Sequence, residues 1–297
     1  MFIELKNHKA HIFNHNEFDD SKESIILIPG AGMDHRMGNL FNFLDLPSNF
    51  NILSIDLPGH GYTSGPVNAD IKDYSQFCND VISALKVQNP IVIGHSMGGL
   101  VALDLATINK NTNPILMNTS YPLMVGEILL QHAKGNLDQA AEFLTKYGVR
   151  VLPEVEIKSS GFGVMGSGFY GRSKGVIKSP YGTKTVESDP EREIKLYPLK
   201  KIFNQTHKEI LSKDLQACSS YRVEIKEINN IEGIKFIFGE KDKLARFNEE
   251  SELIQHVDID TNVRILDGSG HFPYFEMPDK LALILKDIIF CLNNIST

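Results

Sequence analysis

The stretch Ile91-Val92-Ile93-Gly94-His95-Ser96-Met97-Gly98-Gly99-Leu100-Val101-Ala102-Leu103 decides the fold. Its first three residues are apolar and β-branched, the mark of a short buried strand. Its last residues, continuing through Ala106, are apolar helix formers and read as a buried helix. Between them Gly94-x-Ser96-x-Gly98 has the pattern of a sharp strand-to-helix turn. Such a turn strains the serine backbone and lifts its hydroxyl above a sheet edge, where only small neighbours fit. The helix that follows points its N-terminal amides at the same place and favours developing negative charge. The bare pattern is weak, and the chain contains its own control. Gly171-Arg172-Ser173-Lys174-Gly175 also matches, yet no strand precedes it and no helix-forming run follows. The same interval holds Gly161-Phe162-Gly163-Val164-Met165-Gly166. A dinucleotide fingerprint requires a helix directly after that turn, and Ser167-Gly168-Phe169-Tyr170-Gly171 will not form one. Gly161–Gly175 is therefore expected to be a loop or lid.

Outward from this turn, short apolar runs alternate with helical patterns. Ser24–Ile28 ends at Pro29-Gly30, Asn51–Asp56 is closed by Pro58-Gly59, and Pro114–Met117 follows the buried helix. Continuous apolarity predicts strands covered on both faces, as in a parallel sheet. Tyr74, Phe77, Val81, Ile82 and Leu85 share one helix face, with Asp73 expected as its cap. From Tyr121 to about Asn230 the alternation stops. Amphipathic helical stretches at Leu137–Tyr147 and Lys200–Ala217 flank the glycine-rich interval. Strands return at Ile234–Phe238 and Asn262–Leu266, and Pro278 opens an amphipathic helix to about Leu292. The simplest account is one α/β core, residues 1–120 and 231–297, interrupted by a mainly helical insertion, residues 121–230.

A serine hydroxyl is a poor nucleophile until a base, itself oriented by a third group, takes its proton. Of ten histidines, His271 has the best position. It follows the last strand, in Gly268-Ser269-Gly270-His271, on a loop able to reach the carboxyl edge of the sheet. His8, His11 and His15 lie near the N-terminus without acidic or cysteine partners at ligand spacing, so a surface location is expected. His60 and His95 read as positional. The acid should follow a strand and precede the histidine. Asp242, after Ile234–Phe238, satisfies this; Glu240 is the fallback, and Asp267 sits too near His271 to fold back onto its ring. For amide donors the candidates are Met97, after the serine, and Ala31 in Pro29-Gly30-Ala31-Gly32, with Gly32 second.

Bulk properties exclude several classes. The net charge of −7 disfavours a nucleic-acid surface, which would need a basic excess. The longest apolar runs, Ile25–Ile28 and Leu281–Leu285, fall short of a membrane span. Met1-Phe2-Ile3-Glu4-Leu5-Lys6 has no basic segment before its apolar residues, so no secretory signal is expected. Three scattered cysteines, Cys78, Cys218 and Cys291, form neither a disulfide framework nor a zinc motif. They fit a reducing, cytoplasmic location.

Taken together, Ile28-Pro29-Gly30-Ala31-Gly32, Asp56-Leu57-Pro58-Gly59-His60-Gly61, Gly94-His95-Ser96-Met97-Gly98-Gly99, Gly239-Glu240-Lys241-Asp242 and Gly270-His271 make the chain resemble the α/β-hydrolase superfamily. The resemblance implies a mostly parallel central sheet flanked by helices, with a cap inserted at about 121–230. It implies a serine hydrolase that cleaves a small or medium carboxylic ester through an acyl-enzyme on Ser96, His271 and Asp242. Ala31 and Met97 would form the oxyanion hole, and Gly32, His95, Tyr121 and Phe272 are the candidates for substrate contact. No metal or organic cofactor is expected, the partner is a small acyl substrate, and a homodimer is left open. Two departures matter. The family's usual His-Gly before the oxyanion hole is Pro29-Gly30 here, and the chain has no tryptophan. Dehalogenases, cofactor-free haloperoxidases and ring-fission C–C hydrolases commonly place one near the pocket. Dehalogenases also need an aspartate where Ser96 stands. The rival readings are a C–C or thioester hydrolase with the same triad, and a non-catalytic ligand receptor on this fold.

Overall fold

A computed structural model describes residues 1–43, 46, 49–67, 70–153, 174–179, 182–187, 190–255 and 257–295. The elements run β1 (Phe2–Glu4), β2 (Lys9–Asn14), β3 (Glu23–Ile28), β4 (Phe50–Ile55), α1 (Ile71–Leu85), β5 (Ile91–His95), α2 (Met97–Ile108) and β6 (Asn113–Met117). Then come α3 (Glu127–Gly135), α4 (Leu137–Gly148), β7 (Lys174–Ser179), β8 (Gly182–Glu187), α5 (Pro190–Asn204), α6 (Lys208–Ser220) and α7 (Ile225–Ile228). The chain closes with β9 (Lys235–Gly239), α8 (Ile259–Asn262), β10 (Val263–Leu266), α9 (Pro273–Glu276) and α10 (Pro278–Ile295).

Eight strands form one sheet in the order β1-β2-β4-β3-β5-β6-β9-β10. From β4 to β10 every pairing is parallel; β1 and β2 add an antiparallel edge. The continuous apolar runs are buried on both faces, as a parallel sheet requires. Alternate residues separate cleanly. Ile26, Ile28, Leu53, Ile55 and Val92 pack with α1 and α2. Ile25, Leu27, Ile52, Ile91, Ile93 and Met117 pack with α10 on the other face. Strand order reverses around β3, whose neighbours are β4 on one side and β5 on the other. The crevice outside the carboxyl ends of such strands is where open α/β sheets bind ligands. It lies between the turn after β3 and the Ser96 turn after β5.

The structure departs from the sequence reading in four places. Asp70, not Asp73, caps α1: its side chain accepts from the Lys72 amide at 2.9 Å. The stretch Lys200–Ala217 is two helices, because residues 205–207 break between α5 and α6. The insertion between β6 and β9 carries the antiparallel hairpin β7–β8 as well as helices. The β1–β2 edge had no distinct signal in the sequence. Residues 161–173, which hold the G-x-G-x-x-G stretch, the serine of the second G-x-S-x-G and most of the expected lid, lie outside the described residues; Lys174 and Gly175 open β7.

Candidate active site

Ser96 sits between β5 and α2 with φ 52 and ψ −113, a left-handed conformation that a serine adopts only under strain. The chain tolerates this because the residues two positions away on either side, Gly94 and Gly98, have no side chains. A Cβ on Gly94 would collide with the Gly98 carbonyl, and one on Gly98 with the carbonyls of Ile28 and Pro29. Two hydrogen bonds hold the elbow: the Ser96 amide donates to Met117 O at 2.9 Å, and Thr119 Oγ1 donates to Ser96 O at 3.0 Å. The Ser96 side chain does not cap α2. Gly98→Ala is expected to lower Tm by about 3–5 °C, the effect of roughly 2–3 kcal/mol of overpacking in a chain of this size. Thermal unfolding checks this, and an unchanged Tm would show that the elbow can relax.

The structure brings the side chains of His271 and Asp242 together. His271 Nδ1 lies 2.8 Å from Asp242 Oδ2, and both side chains are buried. The same carboxylate oxygen accepts from Asn118 Nδ2 at 2.7 Å, and Oδ1 accepts from the Leu244 and Ala245 amides at 2.7 and 3.1 Å. Burial alone would raise the Asp242 pKa. The His271 ring and these donors outweigh it and hold the carboxyl below its usual value. An ionised Asp242 makes Nδ1 the protonated nitrogen of His271 and leaves Nε2 with its lone pair. The imidazole lies beside the elbow, since its ring centroid is 4.9 Å from that of His95, the residue before Ser96. Among the described residues no hydrogen bond joins the Ser96 hydroxyl to His271; unliganded sites commonly close this contact only around substrate. Glu240, the fallback acid, is engaged with Lys241 Nζ at 2.6 Å and the Gly268 amide at 2.9 Å.

Two groups essential to this arrangement carried no sequence signal. Asn118, at the end of β6 with φ 49, bridges Asp242 and Gly270 O. Its Oδ1 is buried with no partner among the described residues. Glu276 is also buried, and its carboxylate gathers the amides of Gly270, Phe272, Arg150 and Val151 at 2.7–3.1 Å. Burial raises its pKa against those donors. The His271 amide itself donates to Gly148 O at 2.7 Å. The backbone at His271 is thus fixed on both sides.

The four residues expected to touch substrate have other duties. The Gly32 amide donates to Asp214 Oδ2 at 2.7 Å, so it is neither a free substrate contact nor the alternative oxyanion donor. His95 is buried; Nε2 faces His271 O at 2.8 Å and Nδ1 faces the Tyr274 hydroxyl at 3.3 Å. Tyr121 is buried against Tyr221 and exchanges hydrogen bonds with the Val223 backbone. Phe272 is 1 % exposed and packs on Phe203 and His95. All four are buried, the three side chains because aromatic bulk with satisfied polar groups favours burial.

Of the three N-terminal histidines, only His11 leaves the surface; His8 and His15 are half-buried. His11 is buried, with Nδ1 2.7 Å from Asp56 Oδ2, and His35 Nδ1 lies 2.9 Å from both oxygens of the same carboxylate. Their acid stands 45 positions away from His11, so local spacing could not show it. The ligand atoms of His11, His35 and Asp56 lie within 4.8 Å of one another, the one such group among the described residues. Asp56 also accepts the His35 and Tyr62 amides at 2.8 and 3.0 Å. With its oxygens already taken at hydrogen-bond distance, the group fits a buried brace between β2 and the turn after β4 better than an ion site.

His15, bonded to Ser54 at 2.7 Å, is held at a pKa of about 4, first by burial and then by His35. His95 is held at about 3, again first by burial and then by His271. Both folded values lie below the unfolded value of 6.5, so the unfolded chain takes up these protons first. This stability is present above about pH 6.5 and is lost as the pH falls toward 4. Tm is therefore expected to fall across that window. His15→Gln should flatten the fall by up to one proton's share, about 1.4 kcal/mol per pH unit. A flat or rising profile in wild type would contradict the assignment.

A profile of the alpha/beta hydrolase family matches residues 25–282. The chain belongs to this family and is, on that ground, a hydrolase enzyme. An uncharacterized protein of Mycobacterium tuberculosis (strain ATCC 25618 / H37Rv) is 22% identical over 274 residues, covering 90% of this chain and 75% of that one. A structure from work on carboxylesterases of the ammonia-oxidizing thaumarchaeon Nitrososphaera gargenis superposes with a TM-score of 0.70 at 18% identity, over 99% of each chain. The enol-lactonase of Burkholderia xenovorans LB400 gives a TM-score of 0.70 at 18% identity, over 98% of this chain and 100% of that one. At such identities these structures share the fold. No helix among the described residues is long and apolar enough to cross a membrane.

Proposed function

We propose that the protein is a serine hydrolase that cleaves a small or medium carboxylic ester through an acyl-enzyme. The observation that carries the reading is the buried His271–Asp242 pair at 2.8 Å beside the strained Ser96 turn. Ser96 Oγ attacks the carbonyl carbon while His271 Nε2 takes the hydroxyl proton, and the imidazolium is stabilised by Asp242. The carbonyl electron pair moves to oxygen, where the amides of Ala31 and Met97 receive it. Collapse expels the alkoxide, protonated by His271 Nε2–H. Water, deprotonated by the same nitrogen, then releases the acid and restores Ser96. No metal or organic cofactor takes part in these steps. Residues 121–230 serve as the cap over a core of 1–120 and 231–297. The structural relatives described as a carboxylesterase and an enol-lactonase agree with an open-chain or cyclic ester. The free thiols Cys78, Cys218 and Cys291 suit a reducing cytoplasm.

Purified protein assayed on p-nitrophenyl esters, an acyl-CoA and a vinylogous diketone tests the bond type. Turnover of the oxygen esters supports the proposal; inactivity on them with turnover of either other substrate transfers the triad to thioester or C–C cleavage. A fluorophosphonate that labels wild type but not Ser96→Ala separates an enzyme from a ligand receptor on this fold.

A further inference from the structure

Beneath the oxyanion loop lies a second acid–histidine pair that the mechanism does not use. Asp214, on α6, is fully buried. Its Oδ2 accepts from the Gly32 amide at 2.7 Å and faces His60 Nε2 at 2.8 Å, while Oδ1 accepts from the Tyr74 hydroxyl at 2.7 Å. His60 Nδ1 lies 3.1 Å from the Pro58 carbonyl. A carbonyl and a carboxylate can only accept, so both His60 nitrogens carry protons and the ring is an imidazolium. Asp214 and His60 are therefore a buried ion pair whose carboxylate is saturated by donors from three segments.

One of those donors adjoins the proposed oxyanion hole. Residues 30–33 form a turn in which the Met33 amide donates to Gly30 O at 3.0 Å and Gly32 has φ 68. The Ala31 amide belongs to the peptide plane whose oxygen Met33 holds. The next plane, that of Gly32 N, is held by Asp214. Both planes flanking Ala31 are fixed, one by the turn itself and one from α6. Leu211, one turn earlier on α6, packs so closely on Gly32 that a Cβ there would lie 2.8 Å from its Cδ1. The helix thus meets the loop with a side chain against its Cα and a carboxylate on its amide.

We infer that Asp214 is a positioning residue: paired with His60, it aims the Ala31 amide at the oxyanion by holding the Gly32 peptide, and so couples α6 to catalysis. This rests on the hydrolase reading above. Removing one oxyanion donor outright costs about 10²–10³ in kcat, so misdirecting one is expected to cost about tenfold or more.

The test compares wild type with Asp214→Ala and with Asp214→Leu/His60→Gln, the second of which removes both buried charges so that no lone ion is left behind. Tyr74→Phe is the control that leaves the Gly32 bond in place. Each is assayed on a p-nitrophenyl ester and for fluorophosphonate labelling, with folding checked by circular dichroism. A wild type inert to both reagents overturns the hydrolase reading, and this inference with it. With an active wild type, folded Asp214 variants should lose at least tenfold in kcat with KM within threefold. Their labelling should slow in parallel, the acidic limb of the pH profile should stay at its wild-type position, and Tyr74→Phe should stay within threefold. A folded Asp214 variant with kcat within twofold of wild type, whatever its Tm, overturns the inference and leaves the hydrolase reading intact. If neither variant folds, amide exchange in wild type decides: strong protection of the Gly32 amide supports the bond, and rapid exchange overturns it.

Discussion

Ester turnover in Ser96→Ala is expected to fall by about 10⁶-fold in kcat, with the folded structure retained. Alanine removes the only atom that bonds to the acyl group and leaves His271, Asp242 and the amide donors in place. Activity that survives is then whatever oxyanion stabilisation and substrate binding give to attack by water, roughly 10³–10⁴ over solution. The substitution leaves the strained φ of 52 unrelieved, so Tm should move little. Steady-state hydrolysis of a p-nitrophenyl ester and a thermal melt measure both quantities. Substantial residual activity would assign the chemistry to another nucleophile.

Asp242→Asn is expected to lower kcat by about 10⁴-fold while keeping the fold, through the tautomer of His271. The surroundings dictate how the new carboxamide turns. On one side the Leu244 and Ala245 amides require an acceptor, so the carboxamide oxygen faces them. Its NH₂ is then directed at His271 Nδ1, where the carboxylate now accepts at 2.8 Å. The ring must present an acceptor there, so its proton moves to Nε2 and that nitrogen can no longer act as a base. Asn118 Nδ2, 2.7 Å from the same Asp242 oxygen, would also face an NH₂, which adds a stability loss of about 1–3 kcal/mol. A pH–rate profile with kcat restored toward wild type at high pH would fit this tautomer account; unchanged kcat at neutral pH would sink it.

The parts of this site legible in the sequence are those with a local cause. β3, β4 and β5 were visible as uninterrupted apolar runs, and the elbow as glycines around a serine between a strand and a helix. Asp242 and His271 were placed by chain order relative to strands. What escaped has a cause remote in sequence. Asn118 meets Asp242 across 124 positions, Asp214 meets Gly32 across 182, and Glu276 gathers the Arg150 amide across 126. A polar side chain satisfied by backbone amides from another segment leaves no periodicity or motif behind. The internal partners of the substrate-contact candidates were hidden for the same reason: His95 meets His271 O across 176 positions, and Phe272 packs on Phe203.

The Glu276 carboxylate has a mechanical consequence. It ties residues 150–151, just past α4, to the loop that bears the base, and Gly148 adds its own tie to His271. Although α4 belongs to the insertion by chain order, its last turn is clamped to the core. A displacement of residues 148–151 would therefore be transmitted directly to the backbone of residues 270–272, with which they share these bonds.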